Sequence, residues 1–267
     1  RNFMKCIATE KCGAFYYRAG LSREAQIIYD KMYAQFLRKD YSGVTKFHAG
    51  DADKAVEDSF SAYRALKKDH PEFFFLGNKI CYRVRGSEAK LEYIILYPPE
   101  ARIQRVLEQK IKEYARGTDK MSAYKKEKLI YKRIVHTIRG NKERDYRNHN
   151  VVGPILYGEG CCEGQSALLI LCLRYAGIPA IYVNGRSKRD RGHSWVVLWM
   201  NGDPVHADIT WESRTTSLRY RYFNLSDRQI AKDHFDFQNT GIPKCEEECW
   251  NYWRMSAKVG GVFSYVS

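Results

Sequence analysis

Apolar residues recur every three or four positions over 22–39 (Ile27, Ile28, Met32, Phe36, Leu37) and over 52–68 (Val56, Phe60, Tyr63, Leu66). That spacing gathers them on one side of a coil and predicts two amphipathic helices. After the stretch DHPEFFF the period changes to two. KICYRVRG and AKLEYIILY alternate around Gly86 and Ser87 and predict a β-hairpin. Pro98 and Pro99 then punctuate the chain, and helical spacing resumes over 101–114 and 122–138. The basic stretch 123–147 carries Leu129, Ile130, Ile134, Val135 and Ile138 among its charges, and reads as one amphipathic helix with a solvated basic face. The prolines divide the chain into an N-terminal region of helices plus hairpin, 1–99, and a second unit, 100–267.

In the second unit the run from Ala167 to Tyr175 leaves no wide polar face and stops at Gly177 and Pro179, which predicts a buried helix. Gly158 and Gly160 break the chain before it, so Cys161 and Cys162 sit at its N-terminus. Unpaired N–H groups and the helix dipole there favour a thiolate; two small core hydrophobes would satisfy the same pattern. AIYVNG at 180–185 reads as a strand, and 192–211 as a hairpin about Asn201-Gly202. Pairing about that turn sets Met200 opposite Asp203, Trp195 opposite Asp208 and His193 opposite Thr210. Side chains alternate along strands, so His193, Trp195 and Asp208 share a face, and His193 and Asp208 become diagonal neighbours. The fold class expected is α+β: a Cys-headed buried helix on an antiparallel sheet.

Composition narrows the function. With 267 residues and 44% hydrophobic content the chain can bury a full core. No apolar run approaches the ~20 residues of a membrane span. The chain begins RNFMKC, without an initiator Met, so the lack of a leader there says nothing about export; an exported or cell-surface location is favoured over a cytoplasmic one. The formal charge of +14 favours anionic partners. No phosphate loop, zinc-finger spacing or RNA-binding aromatic strand accompanies it, so no specific nucleic acid is expected. Of the eight cysteines, Cys6, Cys12, Cys245 and Cys249 lack the tight pairs of a zinc site and read as free thiols or disulfides.

Taken singly, His193 reads as a hydrogen-bonded strand histidine and Asp208 as a cap or turn residue. Together with a thiol at a helix N-terminus they form an ordered nucleophile, base and orienter set. GCCEGQSALLILCLRYAGIPA, GHSW and VHADITW resemble, in that order and at similar spacing, the three core motifs of the transglutaminase-like superfamily, which has the papain-type cysteine protease fold. The segments RDYRNHNVVGPILYGEG and YFNLSDRQIAKDH are similar to those of bacterial members. The resemblance implies Cys162 as nucleophile and low-pKa thiol, His193 as base and Asp208 as orienter. Gln165 stands where the family has an aromatic, and Cys161 where it has an aliphatic.

The chemistry implied is cysteine-dependent acyl transfer on peptide or glutamine amides, with hydrolysis expected ahead of protein cross-linking and no cofactor or metal required. One oxyanion donor is the Cys162 backbone N–H; Tyr146, Asn148 and Tyr157 lie in the approach segment as candidates for the second. Arg189, Arg191 and Trp195 are the substrate-contact candidates. The loop GRSKRDRGH carries Arg186, Lys188, Arg189 and Arg191 against Asp190 alone, which points to an acidic peptide or protein substrate. A non-catalytic binding module and an anionic-polymer binder on the same fold are the alternatives; oligomeric state is not legible.

Overall fold

The long helices begin where the sequence offers a capping oxygen. Ser22 accepts from the Ala25 N–H, Asp51 from Lys54 and Ser122 from Lys125, each satisfying a donor that the first turn leaves unpaired. The computed structural model describes residues 2–96, 101–141, 146–213 and 218–259. Its elements are, in order, α1 (Phe3–Ile7), α2 (Tyr16–Ala19), α3 (Arg23–Leu37), β1 (Val44–His48), α4 (Ala52–Asp69), β2 (Leu76–Arg85), β3 (Glu88–Ile95), α5 (Ala101–Tyr114), α6 (Ala123–Thr137) and β4 (Arg139–Gly140). They continue as β5 (Glu159–Gly160), α7 (Cys162–Tyr175), β6 (Ala180–Ser187), β7 (His193–Met200), β8 (Asp203–Ala207), α8 (Ile209–Ser213), α9 (Asp227–Ile230), β9 (His234–Phe235) and α10 (Tyr252–Val259). The architecture is mixed α+β.

The expected hairpin is present, with Arg85 opposite Glu88, and β1 joins its β3 edge to give the order β1-β3-β2. The strand β1 was not anticipated: VTKFH is too short to establish a period of two. A second antiparallel sheet has the order β8-β7-β6-β9. Helix α7 packs against β6 and β7 and is surrounded by α1, α5, α6 and α8. Its residues Leu168 through Leu173 are all fully buried, as a helix without a polar face requires. The inner face of the sheet (Val196, Leu198, Met200) joins the main core. The outer face (Ile181, Val183, Trp195, Val197) packs on Ile230, Phe237 and Cys245. Covered on both sides, β7 is buried along nearly its whole length.

Buried Arg174 on α7 fastens this half to the N-terminal region. Its guanidinium donates to the carbonyl oxygens of Ala180 (3.0 Å), Asp69 (2.6 Å) and Gly13 (3.1 Å), so one cation satisfies three chain segments.

Several expectations need correction. The basic helix does not run to 147. It ends at Thr137, and Arg139 and Gly140 pair in parallel with Glu159 and Gly160, because that short ladder fixes the approach to α7. The strand expected to reach Trp211 stops at Ala207; Asp208 Oδ1 accepts the Thr210 and Trp211 N–H groups and caps α8 instead. Of the two readings left open for Cys6, Cys12, Cys245 and Cys249, the structure has the free thiols, Cys12 being engaged with the carbonyl oxygens of Ile7 and Thr9. Pro98 and Pro99 lie outside the described residues. No helix among the described residues is long and apolar enough to cross a membrane.

Candidate active site

The chain reaches α7 through a bend that only glycine accommodates. Gly158 adopts φ +65°, and a Cβ at Gly160 would lie 2.9 Å from Pro154 Cγ. Cys161 then occupies the N-cap position and Cys162 the first helical position. On the facing sheet, His193 opens β7 opposite Gly185, and the carboxylate of Asp208 follows directly on β8. The Met200–Asp203 register is as the turn predicts. Pairing does not extend to His193 and Thr210, yet the diagonal contact forms: His193 Nε2 donates to Asp208 Oδ2 at 2.7 Å, with both side chains buried.

The remaining ring nitrogen of His193, Nδ1, is buried and makes no hydrogen bond of ordinary geometry. The Cys162 thiol is the neighbour that acts on the ring, and Asp190 Oδ2 stands 3.9 Å from Nδ1. Burial pushes His193 down, but its interactions with Asp208 and Cys162 outweigh this and raise its pKa to about 9. Burial likewise opposes ionisation of Asp208, while hydrogen bonds from His193 and His234 hold it well below the usual carboxylate range.

The two thiols are coupled. Cys162 donates to Cys161 and is partly buried, and both effects push its pKa up against the pull of His193; accepting that bond holds Cys161 below the usual thiol range. The expectation of a low-pKa Cys162 is therefore corrected for this resting arrangement, because the sequence could not show that its neighbour is its hydrogen-bond acceptor. Adjacent coupled groups titrate as a unit, with His193 as the third member.

His234 was missed from the sequence. Its Nε2 donates to the same Asp208 Oδ2 at 2.8 Å, and its Nδ1 meets Asp233 Oδ1 at 2.6 Å. Both nitrogens face carboxylates, and these contacts outweigh burial and raise its pKa. Asp233, His234, Asp208 and His193 thus form a continuous chain. The signal in the sequence was the dipeptide Asp233-His234 in YFNLSDRQIAKDH, which spacing alone could not direct at Asp208.

Of the substrate-contact candidates, Trp195 is corrected. It is fully buried on the outer face, stacked on His193 at 5.7 Å and donating from Nε1 to His206 Nδ1 at 3.0 Å, so it supports the imidazole instead of meeting a ligand. Arg189 lies 4.3 Å over the Trp211 ring, which itself flanks His193 and His234. Arg191 is exposed. The loop is less cationic than its sequence implied, since Arg186 pairs with Asp236, far along the chain. Tyr157 is exposed and its hydroxyl accepts from Arg147 Nη1 at 3.2 Å; the side chains of Tyr146 and Asn148 lie outside the described residues. Gln165 Nε2 donates to the Gly160 carbonyl at 2.7 Å and braces the bend.

Three clusters among the described residues gather potential metal donors: His149, Cys161 and Glu163; His193, Asp208 and His234; and His206, Asp227 and Cys245. In each, donors already engage one another, as in the His149 Nδ1 to Glu163 Oε2 contact at 3.0 Å and the His206 Nε2 to Asp227 Oδ1 contact at 2.7 Å.

A thiol, an imidazole and a carboxylate in this order and contact coincide with the match of residues 110–211 to the family model of the transglutaminase-like superfamily. Residues 110–211 are similar to the transglutaminase-like superfamily. The matched span ends at Trp211 and contains Cys162, His193 and Asp208. Among solved structures, a provisionally assigned cysteine protease from Cytophaga hutchinsonii is 14% identical with TM-score 0.35, the match covering 50% of this chain and 62% of that one. A structure described as a TGase is 13% identical with TM-score 0.38, covering 72% of this chain and 57% of that one. A provisionally assigned protease from Parabacteroides distasonis is 14% identical with TM-score 0.31, covering 48% and 35%. The chain therefore spans less than two thirds of each of these proteins. No curated protein matches it.

Proposed function

We propose that the transglutaminase-like region hydrolyses a peptide or side-chain amide bond, with Cys162 as nucleophile, His193 as acid–base and Asp208 as the group that orients the imidazole. The observation that carries this reading is the 2.7 Å contact from His193 Nε2 to Asp208, which leaves Nδ1 as the proton carrier next to the Cys162 thiol. The thiol proton passes to Nδ1 and the sulfur attacks the carbonyl carbon. As the C–N bond breaks, the imidazolium gives that proton to the leaving amine. The Cys162 backbone N–H, at the start of α7, stabilises the oxyanion. His193 then takes a proton from water as it attacks the thioester, releasing a carboxylic acid and restoring the thiol.

His234 is a positioning residue in this scheme, since it touches Asp208 and not the reacting atoms. The test is turnover of internally quenched peptides and of glutamine-containing peptides, with and without an added primary amine. Wild type should release free acid and ammonia or amine, and Cys162→Ser should not. Products formed only when the amine is present would replace hydrolysis with transamidation.

A further inference from the structure

A cleft of about 750 Å³ lies between α4 and β2 on one side and the first turn of α7 with β6 and β7 on the other. Arg64, Lys67 and Lys68 of α4 and Lys79 of β2 line it. The first three stand at i, i+3 and i+4, hence on one face of the helix, where like charges repel one another by roughly 0.2–0.5 kcal/mol per pair. Among the described residues none of the four forms an ion pair with a carboxylate. Lys67 Nζ donates to the Gly77 carbonyl at 3.2 Å and to Asn78 Oδ1, both neutral. Lys68 lies 4.8 Å over the Tyr17 ring. Burial lowers the pKa of both lysines, and Arg64 adds to the effect at Lys68. The carboxylate lining the cleft is Glu163, and His149 occupies it at 3.0 Å.

Lys67 alone would be explained as a clip tying α4 to β2. A clip needs one ammonium, and it does not account for three further cations along the same wall. Lys67 and Lys68, half-buried and reached only by the more distant charges of Glu163 and Asp69, gain most from a ligand that brings carboxylates into the cleft. The floor is apolar, including Phe73, Leu76 and the half-exposed Ile94, which suits the body of a short extended chain. The cleft runs to Glu163 and Ser194, the residues next to Cys162 and His193. Cys162 and His193 do not themselves line the cleft, so an occupant binds beside a site whose proposed chemistry acts on amides, which peptides possess and nucleic acids lack.

We infer that this cleft is an acidic-peptide subsite: Arg64, Lys67, Lys68 and Lys79 bind the carboxylates of a peptide segment flanking the bond presented to Cys162. The inference deepens the hydrolase reading and rests on it for the fate of the bound peptide, but not for the binding itself.

Binding of fluorescein-labelled short peptides to full-length Cys162→Ser, followed by anisotropy, separates the two. Three peptides of one sequence, carrying Glu, Gln or Lys at the same alternate positions, are compared with a single-stranded oligonucleotide of equal length. The Glu peptide should bind at least about tenfold tighter than the Gln and Lys versions at about 50 mM salt, and the gap should close by about 500 mM. Arg64→Ser with Lys79→Ser, both at exposed positions, should remove most of that preference, and Arg64→Lys with Lys79→Arg should retain it. Equal affinity for Glu and Gln peptides, tighter binding of the oligonucleotide, or an unchanged preference in the serine variant would overturn the inference. Selective binding with no turnover by wild type would leave the cleft standing and remove the hydrolase reading.

Discussion

At the residue scale, the environment of Cys162 is set as much by Cys161 as by the helix end. Cys161→Ala removes the acceptor that keeps the Cys162 proton in place, so alkylation of Cys162 by iodoacetamide, mapped by peptide mass spectrometry, should begin at lower pH than in wild type. His193→Ala should shift it the other way. The imidazole pKa of about 9 fixes the acidic limb of kcat/KM: the ring must be unprotonated to take the thiol proton, so activity rises as pH rises through that value. Asp208→Asn removes the charge that raises His193 and should move this limb down, with a loss of about a thousandfold in rate. His234→Gln removes a cation near the same ring, at 5.3 Å between centroids, and should move the limb up. Limbs that move together in the two variants would show that His234 acts by supporting Asp208 and not by its charge beside His193. The His193–Asp208 contact was legible because Asn201-Gly202 fixes a register. The thiol–thiol bond and His234 were not, since neither depends on periodicity.

At the element scale, the helices were legible from a spacing of three to four, and the hairpins from alternation about Gly86 and Gly202. Several of the elements of two to five residues escaped. The strands β1, β4 and β9 have no room for a pattern, and α8 exists because Asp208 caps it, a tertiary fact. Arg174 shows the same limit: within an apolar helix a lone arginine reads as a boundary residue, whereas here it is 1% exposed and joined to three carbonyl oxygens, two of them from the distant N-terminal region. Arg174→Met keeps the aliphatic bulk and strands those carbonyls. We expect a loss of about 3 kcal/mol in urea unfolding, with a protease-sensitive N-terminal region. A change below about 1 kcal/mol would mean that the junction is held by apolar packing alone.

At the scale of the whole molecule, stability should depend on pH through Glu127, fully buried on α6. Its Oε2 accepts from Asn224 Nδ2 at 2.7 Å and its Oε1 has no partner among the described residues. Burial raises its pKa to about 8 from 4.5, against the opposing pull of Asn224. A folded-state value above the unfolded one means that its contribution is full below pH 4.5 and is lost as pH rises to about 8. Glu127→Gln cannot ionise, so its melting temperature should exceed that of wild type by a few degrees at about pH 8 and converge with it near pH 5. A constant difference across that range would contradict the assignment. The α+β class and the Cys-headed helix followed from hydrophobic pattern, whereas the cleft between α4 and α7 joins residues about a hundred positions apart and needed the tertiary structure. The central claim, that Cys162 carries the acyl group, is tested most directly by rapid acid quench of the whole protein with a peptide substrate, followed by mass mapping of the thioester. The account predicts the adduct on Cys162 in wild type and none in His193→Ala; an adduct on Cys161, or one equally abundant without His193, would contradict it.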